Sequence, residues 1–304
     1  MTAPDAPQLS VLIATRNRAD LLTRCLRSLE VAQDAAAQDA AATDVECLVI
    51  DNGSTDDTAA VLAQWERSGR GHRQLFVEQP GKSRALNHAL EHARAPLLVF
   101  TDDDVEVPPS FFAEILAFFA GHPEYAAAIG RVLPPPGGIE ADLQARIARY
   151  RTIAFFDHGD TVRDESSLHG SNMVLRRMAF DTVGGFNESL GPGATGGMED
   201  QELGTRVRRS GLRIGYMPKV IVHHCIDSTR LTPEYFHRFQ LVQARSYVAI
   251  NPHGAWRRAV PRVLEATLAW AWWSVLRQPV RREHAYGRVL RHREILRLRW
   301  NQRR

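Results

Sequence analysis

Apolar runs of strand length alternate with helix-period patterns through the first hundred residues. Leu9 to Ala14 is a continuous apolar run that predicts a buried strand. Polar TRNRAD follows, then a helix carried by Leu21, Leu22, Cys25, Leu26 and Leu29. The Ala/Asp/Gln-rich stretch 31–44 reads as a loop or an extension of that helix. Val45 to Ile50 predicts a second strand ending at Asp51, and Ser54-Thr55-Asp56-Asp57 offers an N-cap to a helix carried by Val61, Leu62 and Trp65. A short strand at Leu75 to Val77, a helix over 82–93 and a strand at 96–100 complete the series. That last strand runs directly into Thr101-Asp102-Asp103-Asp104. Apolar strands alternating with helices imply a parallel sheet covered on both faces. Ligands of such sheets sit at the carboxyl ends of the strands, where the polar clusters after strands one, two and four all fall.

Pro134-Pro135-Pro136-Gly137-Gly138 interrupts the alternation and marks a boundary. Beyond it the pattern predicts a strand over 169–175, a turn at Gly184-Gly185 and a glycine-rich loop from Gly191 to Gly197. A helix over 199–210 follows, with Gly211 as its C-cap, and then strands at 212–216 and 220–222. From Thr232 onward the pattern is helical. The chain therefore reads as segments 8–133, 134–230 and 231–304.

A chain of 304 residues suffices for one large α/β domain or two modest ones. Its 44% hydrophobic and 24% charged residues exclude a disordered, collagenous or polytopic membrane protein. Cys25, Cys47 and Cys225 show no CxxC spacing, which argues against a disulfide scaffold or a cysteine zinc site. MTAPDAPQLS has neither the basic nor the apolar region of a secretory signal, so a reducing, cytoplasmic setting is expected.

The formal charge of +3 hides an asymmetry, because 13 of the 38 basic residues lie in 256–304 against Glu265, Glu283 and Glu294. Such a tail suggests an anionic partner, either phosphate lipid or nucleic acid. The apolar run 263–276, with Trp270, Trp272 and Trp273, is too short to span a bilayer. Followed by the Arg-rich segment, it suits an interfacial helix on an anionic membrane surface. The alternative is a helical cap whose arginines face solvent. Nucleic-acid binding would interleave aromatics with the basic residues; here the tryptophans precede them, so no nucleic acid is expected as a partner.

Three consecutive carboxylates repel one another, and a divalent cation would offset the repulsion. The plain reading of Asp102-Asp103-Asp104 is a solvated acidic turn, but its place after an apolar strand favours Mn²⁺ or Mg²⁺. Alternation sends Asp102 and Asp104 to one side and Asp103 to the other. Glu199 and Asp200 open a helix behind a glycine-rich loop. Acids there compensate the helix dipole, yet one of them is also placed as a general base. His223-His224 ends a strand, where a histidine is either structural or a third metal ligand. Lys82 could face a phosphate, although the GxxxxGK spacing of a P-loop is absent. GxGxxG after the first strand, GxSxG and HExxH are absent too.

SVLIATRNR (10–18), CLVIDNGSTDDT (47–58), GKSRALNHAL (81–90), PLLVFTDDDVEVPPSFF (96–112), HGSNMVLRRMAFDTVGGFNESL (169–190) and MEDQELGTRVRRSGLRIGYMPKVIVHH (198–224) stand in an order that resembles the family 2 inverting glycosyltransferases with the GT-A fold. The resemblance covers about 10–224. It implies an α/β domain with a mostly parallel sheet flanked by helices, 8–133 binding a nucleotide-sugar and 134–230 carrying the catalytic and acceptor side. The segment 231–304 is a helical, basic extension beyond it. Thr15, Arg16, Asp51 and Asn52 would line the base and ribose pocket, and Lys82 would approach the base or diphosphate. Asp102 and Asp104 match the outer positions of the DXD element, Asp103 lying between them on the nucleotide-sugar side. Asp104 would bind the metal directly, and Asp102 the ribose or the metal through water. His224 matches the family's metal histidine, with His223 the less favoured neighbour. Asp200 matches the catalytic base, Glu199 beside it, and Gly170 and Asn172 would shape the donor-sugar site. Many members carry two carboxylates where this chain has Asp51-Asn52, so UDP is not assumed as the donor's carrier.

The resemblance implies metal-dependent, inverting sugar transfer from a nucleotide-diphosphate donor to a saccharide or lipid-linked saccharide acceptor, in cell-surface polysaccharide or glycolipid synthesis. The competing enzyme reading is a sugar-nucleotide nucleotidyltransferase, whose Gly- and Arg-rich loop ending in Pro-Lys is missing after the first strand. A non-catalytic nucleotide-sugar-binding relative would be expected to have lost some of Asp102, Asp104, Asp200 and His224.

Overall fold

The computed structural model describes residues 6–38, 44–69, 71–251 and 254–301. Residues 39–43 of the predicted loop or helix extension, and Arg303 and Arg304 of the basic tail, lie outside them. The chain divides into two compact units. The first comprises 1–136, 155–188 and 199–225, and the second 137–154, 189–198 and 226–304.

The first unit opens with β1 (Leu9–Thr15), α1 (Ala19–Gln38), β2 (Val45–Asp51), α2 (Thr58–Arg67), β3 (His72–Phe76), α3 (Lys82–His92) and β4 (Leu97–Thr101). It continues through β5 (Val105–Glu106), α4 (Phe111–Gly121) and β6 (Tyr125–Leu133). After an excursion of the chain into the second unit, which holds α5 (Ala141–Tyr150), come β7 (Arg163–Glu165), β8 (Asn172–Arg176), α6 (Arg177–Val183), α7 (Glu199–Arg209) and β9 (Arg213–His224). The nine strands among the described residues form one sheet in the order β3-β2-β1-β4-β8-β6-β9-β5, with β7 on β9. β1, β2, β3, β4, β6 and β9 run one way; β5, β7 and β8 run against them. The sheet is thus mostly parallel, as expected.

Alternation along β1 divides the core. Leu9, Val11 and Ile13 pack on one face with α1, α2 and α4, while Leu12 joins the other face with α3 and α7. At the amino ends of the strands, buried Glu46 accepts hydrogen bonds from Ser10 Oγ at 2.6 Å and from Arg94 N and Nε at 2.6 and 2.9 Å. The carboxylate there is taken up by these structural bonds.

Several elements depart from the pattern. The predicted helix does extend, through Gln38. α4 is apolar around most of its circumference and so shows no polar face by which a period could be read. β6 reads YAAAIGRVL; its alanines have little strand preference, and pairing on both sides makes it a strand. β3 begins at His72, three residues early, because an edge strand tolerates His72, Arg73 and Gln74. β8 begins at Asn172 rather than at 169. The predicted strands 212–216 and 220–222 are one long β9, with Pro218, Lys219 and Val220 bulged out between Met217 and Ile221 in its register with β6.

Asn172 closes that bulge. Its amide donates to the carbonyls of Arg131 at 2.9 Å and Val220 at 3.1 Å. Gly130 leaves the room, since a Cβ there would lie 2.3 Å from Asn172 Nδ2 and 2.4 Å from the Val220 oxygen.

In the second unit, α8 (Pro233–Ile250), α9 (Ala255–Val275) and α10 (Pro279–Asn301) pack together around Ala244, Val248, Ala255, Ala259 and Ile295. Thr232 caps α8 by accepting from Tyr235 N. α5 is tied to the same helices, through His284 to the Arg149 carbonyl at 2.5 Å and a Tyr150–Phe236 ring contact. No described helix is long and apolar enough to cross a membrane.

Gly130→Ala should destabilise the protein by about 2–3 kcal/mol, since neither the sheet carbonyl nor the Asn172 amide can withdraw cheaply. Urea denaturation with an unchanged slope and a lowered midpoint is the expected result.

Candidate active site

The carboxyl edge of the sheet gathers one cluster of charged residues from the first unit. β4 delivers Asp102, Asp103 and Asp104 into a tight turn before β5. β5 pairs antiparallel with the end of β9, setting Val105 opposite His224, and Cys225 N donates to the Asp104 carbonyl at 2.8 Å. This backbone pairing brings His224, distant in sequence, to the acidic turn. The donor atoms of Asp102, Asp104 and His224 all lie within 4.8 Å of one another. His224 Nδ1 bonds the Cys225 carbonyl at 2.8 Å, leaving Nε2 to face Asp104 Oδ1 at 3.7 Å. His223, on the opposite side of the strand, is held by the Pro134 carbonyl.

Two carboxylate oxygens and one imidazole nitrogen suit Mn²⁺ or Mg²⁺, with further positions left for water or phosphate oxygens. Buried Asp103 turns the other way and accepts from Thr15 Oγ1 at 2.7 Å. Arg18, just before α1, donates through Nη1 to Asp103 at 2.7 Å and Asp104 at 2.9 Å. Burial opposes the Arg18 charge, but the neighbouring aspartates more than restore it and push its pKa up. Burial also raises the Asp103 pKa despite Arg18.

Lys82 opens α3 and bonds Asp102 Oδ1 at 2.5 Å, with Glu199 Oε1 at 3.7 Å. Its charge too is opposed by burial and upheld by Asp102 and Glu199. Across from it, α7 presents Asp200, whose carboxylate accepts from the backbone N–H groups of Gly170 at 2.9 Å and Gln201 at 2.8 Å. A Cβ on Gly170 would lie 3.4 Å from Lys82 Nζ and 3.7 Å from Asp200 Oδ2, so this residue borders the gap between them. Buried Glu199 is pushed up to about 7 by desolvation, with Asp200 adding to the effect and Lys82 opposing it.

The Glycosyl transferase family 2 model matches residues 10–184, more than half of the chain. This chain belongs to glycosyl transferase family 2. A model described as the N-terminal domain of galactosyltransferase matches 150–229. Validoxylamine A glucosyltransferase of Streptomyces hygroscopicus subsp. jinggangensis is 32% identical over 241 residues, covering 68% of this chain and 52% of that protein. The chain spans about half the length, or less, of several curated relatives it matches. Among solved structures, the mannosyltransferase PcManGT from Pyrobaculum calidifontis, in complex with GDP-Man and Mn2+, superposes with a TM-score of 0.57 at 20% identity, over 99% of this chain and 78% of that one. S. aureus TarS 1-349 in complex with UDP-GlcNAc does so with a TM-score of 0.52 at 16% identity, over 97% and 92%. These likenesses establish the GT-A fold.

Within this family 2 domain the expected residues divide into two groups. Lys82, Asp102, Asp104, Gly170, Glu199, Asp200 and His224 converge, with Thr15 and Asp103 immediately behind. Asp51 and Asn52 sit at the end of β2 and are occupied locally: Asp51 accepts from Ser54 N, while the Asn52 amide donates to the Val77 and Gln79 carbonyls and accepts from Gly81 N. Asn52 thereby holds the loop that leads to Lys82. Asn172 faces the sheet interior, as described above. Arg16 is exposed, and the arginine at the carboxylates is Arg18. The sequence signal for it was only indirect: three adjacent acids demand a cation, and TRNRAD offers two.

Between pH about 4.5 and about 7 the folded protein keeps a proton on Glu199 that the unfolded chain has released. Stability of the metal-free protein should therefore fall as pH rises through that window. Glu199→Gln should flatten this part of the profile, as followed by thermal melts in chelator.

Proposed function

We propose that the chain transfers a sugar from a nucleotide-diphosphate donor to an acceptor hydroxyl, with inversion at the anomeric carbon. The observation that carries this reading is the meeting of Asp102, Asp104 and His224 with Lys82 and Asp200 at one end of the sheet. A divalent cation held by Asp102, Asp104 and His224 would, when bound, neutralise the charge that develops on the departing diphosphate. Lys82 supplies a further fixed positive charge beside Asp102. Asp200, held by two backbone N–H groups, takes the proton of the acceptor hydroxyl as that oxygen attacks the anomeric carbon. Attack from the face opposite the leaving group inverts the centre in one displacement and needs no covalent enzyme intermediate. An α-linked donor would give a β-linked product. Thr15 and Arg18 orient the aspartates, the Gly170 N–H holds Asp200, and the loop held by Asn52 carries Lys82 to the donor.

The donor's base is left to experiment, since one structural neighbour holds GDP-Man and another UDP-GlcNAc. The acceptor in this reading is a saccharide or lipid-linked saccharide, consistent with a role in polysaccharide or glycolipid synthesis and with a peripheral position at the inner face of the cell membrane. A nucleotidyltransferase has less support, because the match to family 2 includes the residues after β1 where its phosphate loop would lie.

Thermal melts with UDP, TDP, GDP and CDP, each with and without Mn²⁺, test the reading directly, because a ligand selective for the folded state raises its apparent stability. One diphosphate should stabilise the protein only with metal, and no metal-dependent shift with any of them would reject the site. Asp200→Asn should lose roughly a thousandfold or more of turnover while keeping that shift. Asp104→Ala should lose the metal-dependent shift itself.

A further inference from the structure

α9 is amphipathic in the reverse sense to an ordinary surface helix. It buries alanines at 255, 259 and 266, while Val260, Leu264, Leu268, Trp272 and Val275 are 50%, 63%, 63%, 59% and 76% exposed. The exposed set repeats at steps of three and four residues and therefore forms one stripe along the helix, opposite the alanine ridge. Leu276 extends it past the helix end. Large apolar residues on the outside and small ones inside are the opposite of what packing stability alone would select.

Arginines flank this stripe at both ends. Arg257, Arg258 and Arg262 are exposed near the start of α9, and Arg277, Arg281 and Arg282 are exposed after its end. Arg281 also lies over the Trp273 ring at 4.6 Å. Glu265 is the sole acid in α9. We propose that the outward face of α9 docks on an anionic lipid bilayer, with Leu264, Leu268, Trp272 and Val275 in the acyl boundary and the flanking arginines on lipid phosphates. Charge decides between this partner and a second copy of the chain. Because cations stand at both ends, a copy laid on the stripe in either direction would set arginines against arginines. A bilayer surface supplies negative charge at both ends and apolar depth between them. The proposal rests on the peripheral-membrane part of the reading above, and names the surface that performs it.

Co-sedimentation of the full chain with phosphatidylcholine vesicles, and with equimolar phosphatidylcholine–phosphatidylglycerol vesicles, provides the test. Binding is expected to the anionic vesicles, weakening with salt, with tryptophan emission quenched by lipid brominated in its acyl chains. Leu268→Glu and Val275→Glu, both at exposed positions, should each weaken partitioning roughly tenfold or more. Absence of binding, equal binding to both vesicle types, or undiminished binding by both variants overturns the proposal. So does a wild-type dimer in light scattering that Leu268→Glu converts to monomer, since the stripe would then be covered by a second copy. Nucleotide-dependent melts of the same samples report on the donor site separately. A retained shift with failed vesicle binding rejects this surface alone; a lost shift with intact vesicle binding rejects the transferase reading alone.

Discussion

Three adjacent carboxylates at the end of one strand are the constraint around which the first unit is arranged. Left alone they would repel, and two of them are almost fully buried. The fold meets this with partners drawn from separate elements: the cations Arg18 from before α1 and Lys82 from the start of α3, and the imidazole of His224 from the end of β9. Each arrives by a backbone route. Arg18 follows directly on β1, Lys82 stands on a loop pinned by Asn52, and His224 is aligned by the short β5–β9 pairing. The pairing is only two residues long, yet it closes the distance between the acidic turn and a histidine 120 positions away.

Much of this was legible beforehand because the chemistry lies at strand ends. Apolar runs located β1, β2 and β4, and the polar clusters behind them fixed which edge matters. The same clusters, in order, carried the family resemblance, and family 2 membership bears it out. What escaped notice did so for identifiable reasons. α4 has too little polarity to show a period, and β6 has too many alanines to look like a strand. The resemblance assigns Arg16 to the base and ribose pocket and gives Arg18 no role; that Arg18 reaches the carboxylates depends on where the backbone turns after Thr15. The resemblance puts Asn172 beside the donor sugar; what its amide does in the structure is close the bulge in β9.

Asn52 illustrates how a residue at a strand end can act on a site at one remove. An amide at this position satisfies two carbonyls and one N–H together, which a carboxylate could not do, having no donor. The loop from Val77 to Gly81 is therefore held by a residue-specific set of hydrogen bonds, and the orientation of Lys82 follows from it.

The chain passes between its two units five times, at 136–137, 154–155, 188–189, 198–199 and 225–226. The helices after residue 225 look in sequence like an appendage added to a finished enzyme, but α5 and the loop 189–198 belong with them. They are not a module that evolution or an engineer could exchange by a single crossover. Moving the second unit whole would mean moving three separate stretches, 137–154, 189–198 and 226–304, together.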